Sequence, residues 1–192
     1  PKPSADILRS AYHGNLPSSP SPMVVLNYSF EDLNPHSGQL NNWWTWDQNW
    51  SGEQHFFQDC TLKHTGNCSA KLLAVENLAT GLYTAPAFPV EAGKQYSFQG
   101  YVWTHDLNGW ARISISWFND RAEYLGSSAS SHVTTPNTTK WSMVSLENIS
   151  PPPNASYFQV FAQMFSTTSA SVVWFDDVSN LINQVYVPIV QK

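Results

Sequence analysis

The run Ala111-Arg112-Ile113-Ser114-Ile115-Ser116-Trp117 carries an apolar side chain at every second position and a polar one between. Successive side chains of an extended strand point to opposite faces, so this run presents one apolar and one polar face. A helix, with its period of about 3.6 residues, would scatter those apolar groups around its circumference. The same two-residue period recurs in Tyr96–Trp103, Trp141–Leu146, Tyr157–Phe165 and Ser171–Phe175, with Gly, Pro, Asn and Ser clusters between the runs. Ser69–Val75 also reads better as strand than helix, and no stretch of about ten residues shows a convincing helical period. The expected fold class is therefore all-β: a jelly-roll β-sandwich of two antiparallel sheets.

The 192 residues suffice for one domain with a full core. Residues 1–22 contain Pro17-Ser18-Ser19-Pro20-Ser21-Pro22 and read as a Pro/Ser-rich linker or N-terminal extension, because such a segment favours extended, solvated backbone. The β-sandwich domain is expected over 23–181. The apolar segment within 182–192 reads as a C-terminal tail, with linker, edge strand and docking segment all open.

Strand alternation also assigns faces. With Tyr96, Phe98 and Val102 turned to the core, Gln99, Tyr101 and Trp103 point the other way. With Ile113, Ile115 and Trp117 inward, Arg112, Ser114 and Ser116 point outward. With Phe158, Val160, Ala162 and Met164 inward, Tyr157, Gln159, Phe161, Gln163 and Phe165 share the outer face. A solvated sheet face would carry Lys, Glu and Thr; this one carries aromatics, Gln and one Arg. Amides offer both donor and acceptor to vicinal hydroxyls, and aromatic rings stack on the apolar faces of pyranoses. The same outer face is also open to burial beneath a loop or the tail.

Four of the nine Trp fall in Trp43-Trp44-Thr45-Trp46-Asp47-Gln48-Asn49-Trp50. The run shows neither a strand nor a helix period, so a loop over the rim of the sheet is expected, either as one wall of a binding cleft or as its lid. Trp43, Trp44, Trp46 and Trp50 join Gln99, Tyr101, Trp103, Arg112, Gln159, Phe161 and Gln163 as candidate ligand-binding residues.

Charged residues make up 12% of the chain, roughly half the usual fraction. Lys plus Arg number 9 against 14 Asp plus Glu, a net charge of −5. Phosphate backbones require basic stripes, which disfavours nucleic acid, and the same scarcity disfavours strongly anionic polysaccharides. No apolar run approaches the roughly 20 residues of a membrane span. Cys60 and Cys68 lie eight positions apart, which suits a loop-closing disulfide and hence export, with two reduced thiols as the alternative. His55 and His64 are near, but the spacing matches no compact zinc pattern.

Four segments, in order, resemble the β-sandwich carbohydrate-binding modules of families four, nine, sixteen and twenty-two. Asn27-Tyr28-Ser29-Phe30-Glu31 resembles their Asn-x-x-Phe-Glu opening. His64–Leu72 is similar to their His-Ser-Gly segment, Ala92–Phe98 to their Gly-Lys-x-Tyr strand start, and Trp174–Val178 to their closing aromatic-Asp-Asp-Val strand. The resemblance implies a galactose-binding-like jelly roll with a structural calcium ion (Ca2+) between the first and last strands. Its implied ligands are the Glu31 and Asp176 carboxylates, the Asp176 carbonyl, and carbonyls near Asn27 or Ser29 and around His64 and Asn67. Asp177 replaces Asp176 if the register differs by one. Such an ion wants six to eight hard oxygens.

The function expected from these features is a non-catalytic carbohydrate-binding module. Its partner would be a neutral polysaccharide or oligosaccharide of the β-glucan, xylan or mannan class, and the chain would be part of a larger secreted protein. One alternative is an adhesion or structural domain whose aromatic face is a protein interface. Another is a jelly-roll enzyme that cleaves polysaccharides. A glycosidase needs two carboxylates on its sugar face, and none of the outward positions above is Asp or Glu. No Gly-x-Ser-x-Gly elbow occurs either.

Overall fold

The computed structural model describes residues 24–85 and 87–181; the expected linker over 1–22 and tail over 182–192 lie outside them. Eleven strands follow in order: β1 (Trp43–Asp47), β2 (Phe56–Asp59), β3 (Ser69–Leu73), β4 (Leu78–Thr84), β5 (Phe88–Pro89), β6 (Tyr96–His105), β7 (Gly109–Phe118), β8 (Tyr124–Ala129), β9 (Ser142–Ile149), β10 (Tyr157–Ser166) and β11 (Val172–Asn180). The described residues contain no helix.

Two antiparallel layers face each other, as the alternation requires. One is a five-stranded sheet in the order β2-β3-β11-β6-β9. The other is a four-stranded sheet, β5-β10-β7-β8, extended by the hairpin-like pair β1-β4. Strand β4 runs beside β10: the Asn77 N–H donates to the Ser166 carbonyl at one end, and the Val160 N–H donates to Thr84 Oγ1 at the other. Glycine permits this approach, because a Cβ on Gly81 would run into the Ala162 carbonyl oxygen.

The inward faces meet as read from the sequence. Phe98 and Val102 of β6, Ile113 and Ile115 of β7, Phe158 to Met164 at alternate positions of β10, and Val173 and Phe175 of β11 are all fully buried or nearly so. Phe158 joins the layers, with its ring 4.7 Å from Tyr96, 5.4 Å from Trp117 and 5.9 Å from Phe98. Each such ring contributes roughly 1.5–3 kcal/mol on burial.

The Trp run departs from expectation, since its first five residues are strand β1, paired with β4 from Trp43↔Thr84 to Asp47↔Thr80. Trp43 and Asp47 are buried inward, whereas Trp44 is exposed and Trp46 half-buried on the outer side. Alternation is therefore present but illegible, because Trp occupies both faces and a carboxylate sits on the buried one. Strand β4 was hidden for a related reason: six of its seven residues are buried, so neither face is polar.

Candidate functional site

The outer face of the four-stranded sheet is built by β10 and β7. Their register sets Phe161 opposite Ser114, Gln163 opposite Arg112, Gln159 opposite Ser116 and Phe165 opposite Trp110. Next to it stand the outward residues of β4 and β1. Tyr83 stacks on Phe161 with centroids 5.3 Å apart and planes at 23°. Trp46 meets Phe161 edge-on at 5.9 Å, and Trp44 meets Tyr83 at 6.0 Å. Trp50, in the turn after β1, is edge-on to both Trp46 (6.4 Å) and Tyr83 (6.2 Å). Five aromatic residues thus form one wall. Burial pushes the Tyr83 hydroxyl up to about 12, which keeps it a hydrogen-bond donor at neutral pH.

On the far side of β7 the sheet is low. Ser114 and Ser116 lie beside Ala129 and Ser127 of β8, all small. The aromatic wall beside this row of short side chains outlines a candidate groove along the strands, whose deepest members, Ser114, Gln159, Phe161 and Gln163, are buried. Its floor is polar and ordered. Gln163 Oε1 accepts from Arg112 Nε and from the Ser114 hydroxyl, each at 3.2 Å, and Gln159 Nε2 donates to the Thr84 carbonyl at 3.1 Å. Buried amides held this way are fixed in orientation, and each retains one half, the Gln163 amino group or the Gln159 carbonyl, for a ligand.

A second cluster closes one end of the groove. The Arg112 guanidinium lies 4.4 Å from the Trp110 ring centroid, and its Nη1 is 3.1 Å from His132 Nε2. His132 stacks on Trp110 at 4.9 Å and 12°, and Phe165 stacks at 6.1 Å. Burial, then the Arg112 charge, holds His132 below its ordinary value, so it accepts the Arg112 hydrogen bond as a neutral ring. Tyr83, Trp110, His132 and Phe165 were not among the candidates. Phe165 was placed on this face, but the others sit at a strand start, in a loop and in a strand without alternation.

The structure divides the remaining candidates. Trp43 is 1% exposed, packed against Phe30 at 5.1 Å with its indole N–H on the Asn27 carbonyl. It is a core residue and cannot stack on a ligand. Gln99, Tyr101 and Trp103 do point away from the core, but β6 belongs to the five-stranded sheet, so they lie on the opposite side of the molecule from the groove. There Tyr101 stacks under His64 at 3.6 Å, and Trp103 lies 6.0 Å from Trp141, whose indole N–H donates to the Lys63 carbonyl. These rings seat the loop over 60–68. Alternation reveals which side of its own strand a residue occupies, not which sheet the strand joins.

That loop is closed by the Cys60–Cys68 disulfide. It also receives the carboxylates that the family resemblance assigned to calcium. Asp176 Oδ2 accepts the N–H groups of His64 (2.7 Å) and Thr65 (3.2 Å), and its Oδ1 accepts the Asp177 N–H. Glu31 Oε1 accepts the N–H groups of Asn67 and Cys68. A register shift between Asp176 and Ser179 turns Asp177 to the same loop, where it meets His64 Nδ1 and the Thr65 hydroxyl, each at 2.7 Å. The Asn27 side chain is bonded to Asp32 and to the Asn41 carbonyl, and Ser29 lies in the turn over 26–29. Calcium needs oxygens turned toward itself. The implied ligands Glu31 and Asp176 meet on this one loop, where Asp176 and Glu31 Oε1 accept its amide hydrogens and Glu31 Oε2 accepts none, leaving that oxygen to a calcium ion. Burial, opposed by the His64 amide and reinforced by the Asp177 charge, raises the Asp176 carboxyl to about 6.

The fold is one that this chain shares with solved carbohydrate-binding modules of the β-sandwich type, family 22 among them. The N-terminal module pair, CBM22-1 with GH10, of Clostridium thermocellum endo-1,4-β-D-xylanase 10B, complexed with xylohexaose, matches with a TM-score of 0.60 and 15% identity, over 83% of this chain and 28% of that one. A structure from a study of promiscuous specificity in β-sandwich carbohydrate-binding modules matches at 0.58 and 13%, over 81% and 61%. TmCBM61 in complex with β-1,4-galactotriose matches at 0.52 and 14%, over 81% and 94%. The chain thus spans less than two thirds of the first two. No family model matches it, and no curated protein is significantly similar.

Proposed function

We propose that the protein is a non-catalytic module that binds a neutral polysaccharide or oligosaccharide in the groove on the outer face of the four-stranded sheet. The observation that carries this reading is a set of three outward indoles, Trp44, Trp46 and Trp50, backed by the buried rings of Tyr83 and Phe161 and standing beside fixed Gln and Ser groups. Sugar rings present apolar C–H faces to the wall and hydroxyl edges to the floor, with stacking contributing on the order of 1 kcal/mol per ring beyond area burial. Two structural neighbours were solved with β-1,4-galactotriose and with xylohexaose, which supports linear pyranose chains as the ligand class. The outward positions of β1, β4, β7, β8 and β10 that line the groove include no Asp or Glu, so the carboxylate pair of a glycosidase has no place there. The disulfide suits a secreted protein, of which this module would be one part. Affinity electrophoresis against soluble β-glucan, xylan and mannan tests the reading. Retardation by at least one, weakened by Trp46→Ala, is expected; migration unaffected by all three would overturn it in favour of a protein interface.

A further inference from the structure

The groove contains a cation that the fold does not neutralise. A guanidinium has five N–H donors. Arg112 gives one to Gln163 Oε1 and shares another contact with a neutral His132 ring, leaving three without a partner. Among the described residues no carboxylate pairs with it. The side chain is nonetheless half-buried and held flat by Trp110 on one side and by its bond to Gln163. Ordering an arginine costs side-chain entropy, and its planar fork matches a carboxylate in two parallel hydrogen bonds. A neutral sugar hydroxyl would be served as well by another Gln.

We propose that Arg112, positioned by Trp110, Gln163 and His132, reads a single carboxylate on an otherwise neutral glycan, as a uronic acid side group would present it. This rests on the sugar-binding reading and narrows its ligand to uronate-decorated chains. The charge balance sets the density of acid that is tolerated. With a net charge of −5, the protein repels a polymer carrying an acid on every residue, while an isolated carboxylate at the end of the groove meets an unopposed cation at contact distance.

The probe is a xylo-oligosaccharide bearing one glucuronic acid, compared by titration calorimetry with the same molecule after reduction of its carboxyl to a primary alcohol. The acid form should bind about ten-fold more tightly at low salt, as charge-assisted hydrogen bonds generally exceed neutral ones. The preference should shrink in about 0.5 M salt. Arg112→Gln, which retains a donor for Gln163, should bind both forms alike, and Arg112→Lys should recover part of the preference. Equal wild-type affinity for the two forms, or a preference that survives in Arg112→Gln, overturns the carboxylate assignment while leaving sugar binding intact. Binding of neither form overturns both. Tighter binding of polygalacturonate than of the singly substituted oligosaccharide would overturn the selectivity for sparse acid.

Discussion

The Asp47 carboxylate, 1% exposed, accepts the Ser51 hydroxyl at 2.6 Å and the Ser51 N–H at 3.0 Å, and thereby closes the turn that carries Trp50. It accepts the Asn49 N–H as well, at 2.7 Å, and its own carbonyl takes the Trp50 N–H. The turn needs that support because Trp50 adopts φ +54°, a left-handed conformation that a bulky residue rarely enters without compensation. Asp47 is thus a positioning residue for the outermost ring of the groove wall. Asp47→Ala should lower stability by about 2 kcal/mol through the stranded amide donors and also weaken sugar binding. Trp50→Ala and Trp50→Gly remove the same ring and should lose affinity equally. The Gly variant should be the more stable by about 1 kcal/mol, since only the Ala variant keeps a Cβ in the left-handed region. Equal melting temperatures for the two would show that the turn stores no strain.

Trp46 and Trp103 both point away from the core, but on opposite sheets. Trp46→Ala should reduce affinity about ten-fold while changing stability little, because its ring meets Phe161 and Trp50 only at their edges. Trp103→Ala should do the reverse. It withdraws the ring beside Trp141 and loosens the seat of the 60–68 loop, so the melting temperature falls and the affinity stays at the wild-type value. Loss of sugar binding in a folded Trp103→Ala chain would place the ligand on the five-stranded sheet.

Most of the fold was legible because β6, β7 and β10 each alternate an apolar inward set with polar or aromatic residues, although on β7 and β10 the outer set is largely buried as well. The inward sets Ile113/Ile115/Trp117 and Phe158/Val160/Ala162/Met164 are those the alternation names. The groove was legible only in halves. Gln159, Phe161, Gln163 and Arg112 share the outer face of the four-stranded sheet, the first three of them buried, but Trp43 turned inward and Gln99, Tyr101 and Trp103 went to the other layer. Period two carries no information about sheet membership, which depends on pairings distant in sequence such as β6 with β11 and β7 with β10. Tyr83 escaped because β4 is buried on both faces, and a strand without a polar face has no period to read.

The 60–68 loop is held by a covalent bond and by two carboxylates bonded to its amides. Replacing Cys60 and Cys68 by Ser should cost about 2 to 3 kcal/mol, the value expected for a loop of this size, and should leave the groove on the opposite layer intact. The family resemblance implies calcium at this loop, and thermal scans with added calcium or a chelator test it: an ion bound there raises the melting temperature, and an unchanged value would count against it. A calcium-dependent rise in thermal scans would show that the loop turns its carbonyls inward to receive the ion.

Asp176 makes stability depend on pH in a direction opposite to that of a carboxylate held by a cation. Its folded value of about 6 lies above the ordinary 3.8, so the folded chain binds a proton that the unfolded chain releases between the two. The stabilisation from that proton is complete below about pH 4 and is lost as pH rises through about 6. For a group with no exposed surface, a shift of this size corresponds to roughly 3 kcal/mol at full loss. Asp177, beside it, contributes to the cost by repulsion, and the amides of His64 and Thr65 limit it. Melting temperatures measured from pH 4 to pH 7 should therefore decline from about pH 4 to about pH 6 and level off above that. Asp176→Asn removes the titrating charge but keeps an acceptor for the His64 and Thr65 amides, and its profile should be flatter over the same interval. An Asn variant with the wild-type slope would assign the proton to another group.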